Sequence, residues 1–359
     1  MLDSLNLIVK TTKKFLSINE INDLFEKLFQ IFDKVEQNRI SLNKQKIKTE
    51  NEIENNKKTG ANKIYSDDED DNSEEEAIDE IKDQIEEIED IQTSFSDLFG
   101  NLFDTHKELT LEIVDKFINN YLPKYFNENS SNFEKKLGLM IIDNMIEYLQ
   151  QNLLIKIWDN LFNILIQFSN NLDYELRNAA AYGLGIFAKF TNTNFISYKD
   201  NLLKAIINSL NYPKNIPKNE KKYMKFAKDN SVSALCKVIQ YHGKELDNLN
   251  NYLQIWIDNM PITEDLEEGL INNKFLMEIL MKEPNLILGD NYKNLEKIII
   301  IIGKSYKTEG SDEETNNNMI KFTEVVKGNN DMKEILQKLF NTYKKGKTLN
   351  KIKNIFKNT

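Results

Sequence analysis

The sequence predicts an all-α fold, an α-solenoid built as a superhelical array of antiparallel helix pairs. Three observations predict it. Apolar residues recur at steps of three and four, as in Leu176, Ala180, Leu184, Phe187 and Phe190, which places them on one side of a helix. Five prolines and twelve glycines in 359 residues leave long helices uninterrupted. Similar segments also recur: EKKLGLMIID, LRNAAAYGLG and DNSVSALCKV each start polar and then carry a small-residue, apolar middle.

Gly138 and Ala180 lie 42 positions apart, and Asn178 and Asn230 lie 52 apart with a longer loop between. Two-helix units of such lengths match HEAT or armadillo arrays rather than the shorter ankyrin or tetratricopeptide units. Strand signals are weak. The β-branched run Ile298 to Ile302 is expected to be a buried helix.

Residues 1–58 read as helices ending in a long polar one. Met1 to Leu16 forms a short helix. Ser17-Ile18-Asn19-Glu20 is a capping box, with Ile21, Leu24, Leu28, Ile31 and Val35 following on one face. Residues 59–92 hold an acidic loop and a helix start. Between Asp67 and Asp90 fifteen acids face one lysine, Lys82, so this stretch carries −14 and the remainder of the −10 chain sums to +4. Such a run repels itself and is expected to start as a mobile loop, SDDEDDNSEEE. Helical spacing returns at Ile78, Ile81, Ile85, Ile88 and Ile91. Asp67, Asp68, Glu69, Asp70, Asp71, Glu74, Glu75 and Glu76 are either a solvated surface or a docking surface for basic partner segments.

Residues 93–342 read as the main array. Phe95 to His106 leads into Leu109 to Phe126, with Pro123 near its end. Ser131 to Glu134 is a second capping box, opening a helix through Leu149. Leu154, Trp158, Leu161, Leu165 and Phe168 make the next stripe. Then come Asp173–Phe190, about 197–210, 219–241, 246–259, 264–281, 291–307, 312–326 and 331–343. Residues 343–359 form a tail with six lysines and no acids after Tyr343, expected to be solvated and frayed.

The helix at Asp173 is the most informative. Ala179, Ala180, Ala181, Gly183 and Gly185 are too small to fill a core, and each helical glycine costs roughly 1 kcal/mol relative to alanine. Another backbone is therefore expected to approach closely. Arginine occurs only at Arg39 and Arg177, so Arg177 calls for a planar fork rather than mere charge. Asp173, Arg177, Ala180, Gly183 and Gly185 are accordingly the expected repeat-stacking residues.

A single cysteine, Cys236, and two histidines, His106 and His242, exclude a disulfide framework and leave no zinc site to expect. Cys236, within VSALCKVI, is expected to be a small buried hydrophobe. The start lacks a basic segment followed by an apolar run, and the longest apolar block is far short of a membrane span. Gly183-Leu184-Gly185 with Ala188 has the form of a dinucleotide fingerprint, but ELRNAAAY before it is helix-forming, whereas the fingerprint needs a strand. No catalytic, metal or cofactor site is expected.

YELRNAAAYGLGIFAKF from Tyr174, NSVSALCKVIQY from Asn230, YLQIWIDNMPITEDLEEG from Tyr252 and EPNLILGDNYKNLEKIIIII from Glu283 together resemble the karyopherin-β (importin-β) nuclear transport receptors, most closely the C-terminal part of the importin beta-3 branch. The acidic run also sits where that branch has one. The resemblance implies a HEAT superhelix that carries cargo proteins with basic nuclear localisation signals through nuclear pores and releases them to RanGTP. It implies Ran and nucleoporins as further partners, shuttling between cytoplasm and nucleus, and neither membrane nor direct nucleic-acid binding. In that family the principal Ran-binding repeats lie N-terminal to this region, so the chain is expected to be a C-terminal piece, the product of a truncated gene prediction or one part of a split protein. A static HEAT scaffold independent of Ran is the competing expectation.

Overall fold

The computed structural model describes residues 2–12, 14–59, 69–342 and 346–357, and every regular element in them is helical. The chain divides into two compact units, Met1–Leu154 and Ile155–Thr359.

In the first unit, α1 (Leu2–Thr12) packs on α3 (Glu69–His106), which also pairs lengthwise with α2 (Ile18–Thr59). The α2 cap forms as expected: the Ser17 amide donates to Glu20 Oε2 at 2.8 Å, and the Glu20 amide reaches Ser17 Oγ at 3.4 Å. The buried stripe of α2 differs from the expected one. Ile21, Phe25, Leu28, Phe29 and Phe32 are buried, whereas Leu24 and Val35 are half-buried and Ile31 is exposed. Aromatic pairing explains the rotation, since Phe25 stacks on Phe99 at 5.1 Å and Phe29 on Tyr121 at 4.1 Å.

The acidic run also departs from expectation. Its backbone is helical from Glu69 onward, so α3 runs without a break from there through Phe95 to His106. Acids at a helix start are favoured by the dipole, and the packed turns at Ile81, Ile85 and Ile88 propagate the helix back into the charged stretch.

After a 3₁₀ turn at Lys107–Thr110 come α4 (Leu111–Lys116), a π-helical turn at Phe117–Tyr121 and α5 (Leu122–Tyr125) in place of one helix. Pro123 offers no N–H to the carbonyl of Asn119, and the π turn takes up that mismatch. Helix α6 (Asn132–Leu154) opens on the second capping box, with the Ser131 amide 2.6 Å from Glu134 Oε2. Its backbone leaves helical geometry at Gln150 (φ 61°, ψ 175°), one residue after the expected end at Leu149.

The link between α1 and α2 is pinned by His106. Its Nε2 accepts from the Phe15 and Leu16 amides at 3.4 and 3.2 Å, and its Nδ1 lies 2.8 Å from Thr105 Oγ1. A ring that accepts at Nε2 is neutral, with its proton on Nδ1. Burial, helped by the charge of Lys14, holds its pKa below the ordinary histidine value. A lowered folded pKa contributes stability that is complete above the unfolded value and lost as pH falls through the folded one. Melting temperature between about pH 7.5 and pH 5 is therefore expected to fall more steeply in the wild type than in His106→Gln, which keeps an acceptor but cannot titrate.

In the second unit the helices form two layers. One contains α8 (Tyr174–Phe190), α10 (Lys221–His242), α12 (Leu266–Lys282) and α15 (Glu313–Gly328), each packed on the next in chain order. The other contains α7 (Trp158–Phe168), α9 (Phe195–Ser209), α11 (Leu249–Asn259) and α14 (Leu295–Ser305). Here α7 lies against α8 and α9, α9 against α8 and α10, and α11 against α10 and α14. A short α13 (Pro284–Leu288) connects α12 to the next layer, and α16 (Asn330–Thr342) packs on α14 and α15.

The lysine-rich end is not a frayed tail. Helix α17 (Lys347–Lys357) packs on α14 and α15, burying Leu349, Ile352, Ile355 and Phe356. Those four residues follow helical spacing among the lysines. Gly303 of α14 makes room for them, since a Cβ there would collide with Ile352.

Candidate functional site

Asp67 and Asp68 of the acidic run lie outside the described residues. Glu69, Asp70, Asp71, Glu74 and Glu75 occupy the first turns of α3, with their side chains outside the described ones. Glu76 is exposed. Further along α3, Lys82 pairs with Asp79 at 2.7 Å, an exposed contact of little energetic weight. From Glu69 onward the run is thus carried on a helix, which fixes the backbone spacing of those acids along an axis.

The stacking residues of α8 are placed individually. Asp173 is the N-cap, its Oδ1 accepting the Glu175 and Leu176 amides at 2.9 and 3.1 Å. Arg177 is buried, and its fork serves carbonyls: Nε donates to Asn171 O and Nη1 to Asn211 O, both at 3.0 Å. Its guanidinium also lies over Tyr212, 4.9 Å from the ring centroid. Arg177 thereby ties the start of α8 to the loop after α9. Ala180 and Gly183 are buried in the same helix. At Gly185 an added Cβ would stand 3.1 Å from Ala234 Cα, so the backbone of α10 makes the close approach expected for this helix. The glycine pair sits in mid-helix, without the strand and turn that a dinucleotide fingerprint requires.

Asn178 and Asn230 come together. Asn230 Nδ2 donates to Asn178 Oδ1 at 2.8 Å and to Asp265 Oδ2 at 2.9 Å, relaying α8 to α10 and to the cap of α12. Beside it, Asp229 Oδ2 accepts the amides of Thr263, Glu264 and Asp265 at 2.9, 2.7 and 3.2 Å. Burial nevertheless pushes the Asp229 carboxyl above its ordinary value, against the pull of those amides.

Sequence reasoning missed the strongest polar feature of this unit. Glu268 of α12 is buried and receives Lys237 Nζ on both oxygens at 2.7 Å, together with the Ser233 hydroxyl. Asn272 donates to Ser233 Oγ at 2.8 Å and accepts from the indole of Trp256 at 2.8 Å. Lys237, Ser233, Glu268 and Asn272 sit at helical spacing within otherwise apolar stripes, and that interruption was the available signal.

The first unit holds a comparable hub. Arg39 is buried, with Nε and Nη2 forked onto Glu36 at 3.0 and 2.8 Å, and with Glu89 and Glu134 each 3.6 Å away. Burial alone would lower its pKa, but the Glu36 hydrogen bond and the charges of Glu36, Glu134 and Glu89 outweigh it and raise it.

The remaining reactive side chains are engaged structurally. Cys236 is fully buried, and burial pushes its thiol well above the ordinary range, away from nucleophilic use. His242 stacks on Phe195 at 3.6 Å, with Nε2 2.7 Å from Ala188 O and Nδ1 2.8 Å from Glu245. No group of three or more His, Cys, Asp or Glu among the described residues could hold a metal ion. No helix of the described residues is long and apolar enough to cross a membrane. No protein-family model matches the sequence.

Proposed function

We propose that the chain is a protein-binding segment of a nuclear transport receptor, a HEAT-type array that carries cargo proteins with basic nuclear localisation signals under the control of RanGTP. The observation that supports this reading is the layer of helices that pack on one another in succession. Helices α8, α10, α12 and α15 follow one another in chain order, with Asn230 bridging Asn178 and Asp265 across three of them. Arrays of this kind present long surfaces to partner chains. The acidic turns of α3 supply charge of the sign that lysine-rich segments require, and the resemblance from Tyr174 to Ile302 supplies the link to transport.

The test is binding of a lysine-rich signal peptide fused to a fluorescent protein, in the full-length receptor context. Binding is expected to weaken at least several-fold when Asp70, Asp71, Glu74, Glu75 and Glu76 are replaced by their amides. It is also expected to be abolished by RanGTP and retained with RanGDP. Binding that ignores RanGTP would leave a static scaffold instead.

A further inference from the structure

A second surface carries the opposite charge. Between Lys214 and Lys228 the sequence has six lysines against one acid, Glu220, in a chain whose net charge is −10. The structure gathers this stretch around a groove of about 390 Å³ formed by the loop after α9, the first turns of α10 and the end of α11. Tyr212, Ile216 and Met224 give it an apolar, half-buried lining, and Lys214, Lys221 and Lys228 stand along it. Lys221, Lys225 and Lys228 fall on one face of α10, at steps of four and three.

Two of the nearby carboxylates are already committed. Glu264 pairs with Lys225 at 2.7 Å, and Asp229 Oδ2 is occupied by three backbone amides. Lys214, Lys221 and Lys228 have no ion-pair partner among the described residues.

We propose that this groove binds an acidic peptide segment of a partner protein, with an aliphatic anchor on the apolar lining and carboxylates on the three lysines. A simple inorganic anion would use the lysines and leave the lining wet. A nucleic acid strand would need open aromatic faces for stacking, yet the one aromatic ring lining the groove, Tyr212, has one face taken by the Arg177 guanidinium. Because the whole chain is acidic, the attraction is local and acts within about a Debye length, about 8 Å at physiological salt. The site is independent of the acidic run of α3 and of RanGTP, so its test succeeds or fails apart from the transport reading.

The experiment is fluorescence anisotropy with a labelled hexapeptide of four glutamates around two central leucines. The comparison probes are the same peptide with serines for the leucines, and a short oligothymidylate. Wild-type protein is expected to bind the leucine peptide at least about tenfold more tightly than the serine peptide. The triple variant Lys214→Glu, Lys221→Glu, Lys228→Glu is expected to lose at least about tenfold. Lys214→Glu alone, in the loop outside α10, is expected to lose about threefold and guards against misfolding of the triple variant. Absence of saturable binding, equal binding by the variants or equal binding of the serine peptide overturns the proposal. Tighter binding of oligothymidylate overturns it in favour of a nucleic-acid groove.

Discussion

Replacing Glu268 with alanine is expected to lower the unfolding free energy of the 155–359 unit by about 3–5 kcal/mol, the range for breaking one side of a buried ion pair. The Lys237 and Glu268 side chains are 5% and 6% exposed, so solvent cannot take the place of the lost partner. Two groups lose an acceptor at once. Lys237 Nζ loses both of its 2.7 Å bonds and keeps only the face of Tyr182, 5.1 Å away. The Ser233 hydroxyl loses the carboxylate, while Asn272 stays bonded to Ser233 Oγ and to Trp256. The cost is the desolvation of a stranded ammonium more than the loss of an attraction.

The double variant Lys237→Met, Glu268→Leu removes both charges together and is expected to recover most of the loss. Chemical denaturation of the wild type, Lys237→Met, Glu268→Leu and the double variant, as a double-mutant cycle, measures the difference. A double variant as unstable as Glu268→Ala would mean that packing, and not the uncompensated charge, sets the cost.

Helical spacing made the architecture legible, because period and capping act locally. Both capping boxes, at Ser17 and Ser131, form as the four-residue pattern predicts, and Gly185 meets the backbone of α10 as its missing side chain predicts. Features set by tertiary partners were less legible. The stripe of α2 turned toward its phenylalanines because α3 supplies Phe99, which no local pattern encodes. The acidic start of α3 became helical because packed turns downstream propagate back through it. In α17, four lysines mask Leu349, Ile352 and Ile355, whose spacing is readable, and the glycine that receives Ile352, Gly303, lies far away in sequence. The acidic candidates were visible by charge alone. The lysine groove emerged only once the fold joined the loop at Lys214 to α10.

Arg39→Leu is the second large effect expected, a loss of about 2–4 kcal/mol from the 1–154 unit. The figure sits somewhat below that for a dry pair, because Glu36, Glu89 and Glu134 retain 14%, 29% and 20% exposure. The guanidinium joins three elements. It forks onto Glu36 of α2, faces Glu89 of α3 and Glu134 of α6, and donates to Ser131 Oγ at 3.2 Å at the α6 cap. Gln92 also donates to Glu36 Oε2 at 2.6 Å, so that carboxylate would keep one partner in the variant. What remains is three acids around an apolar side chain, and their mutual repulsion pushes the helices apart. Neutralising one of them by Glu36→Gln in the Arg39→Leu background is therefore expected to restore stability, whereas the same change in the wild type is expected to reduce it. Arg39→Lys is expected to fall between, since an ammonium keeps the charge but cannot fork onto Glu36 while reaching the Ser131 cap. Thermal melts of the four variants read the signs directly. A Glu36→Gln change that destabilises both backgrounds equally would show that Arg39 and Glu36 are not coupled.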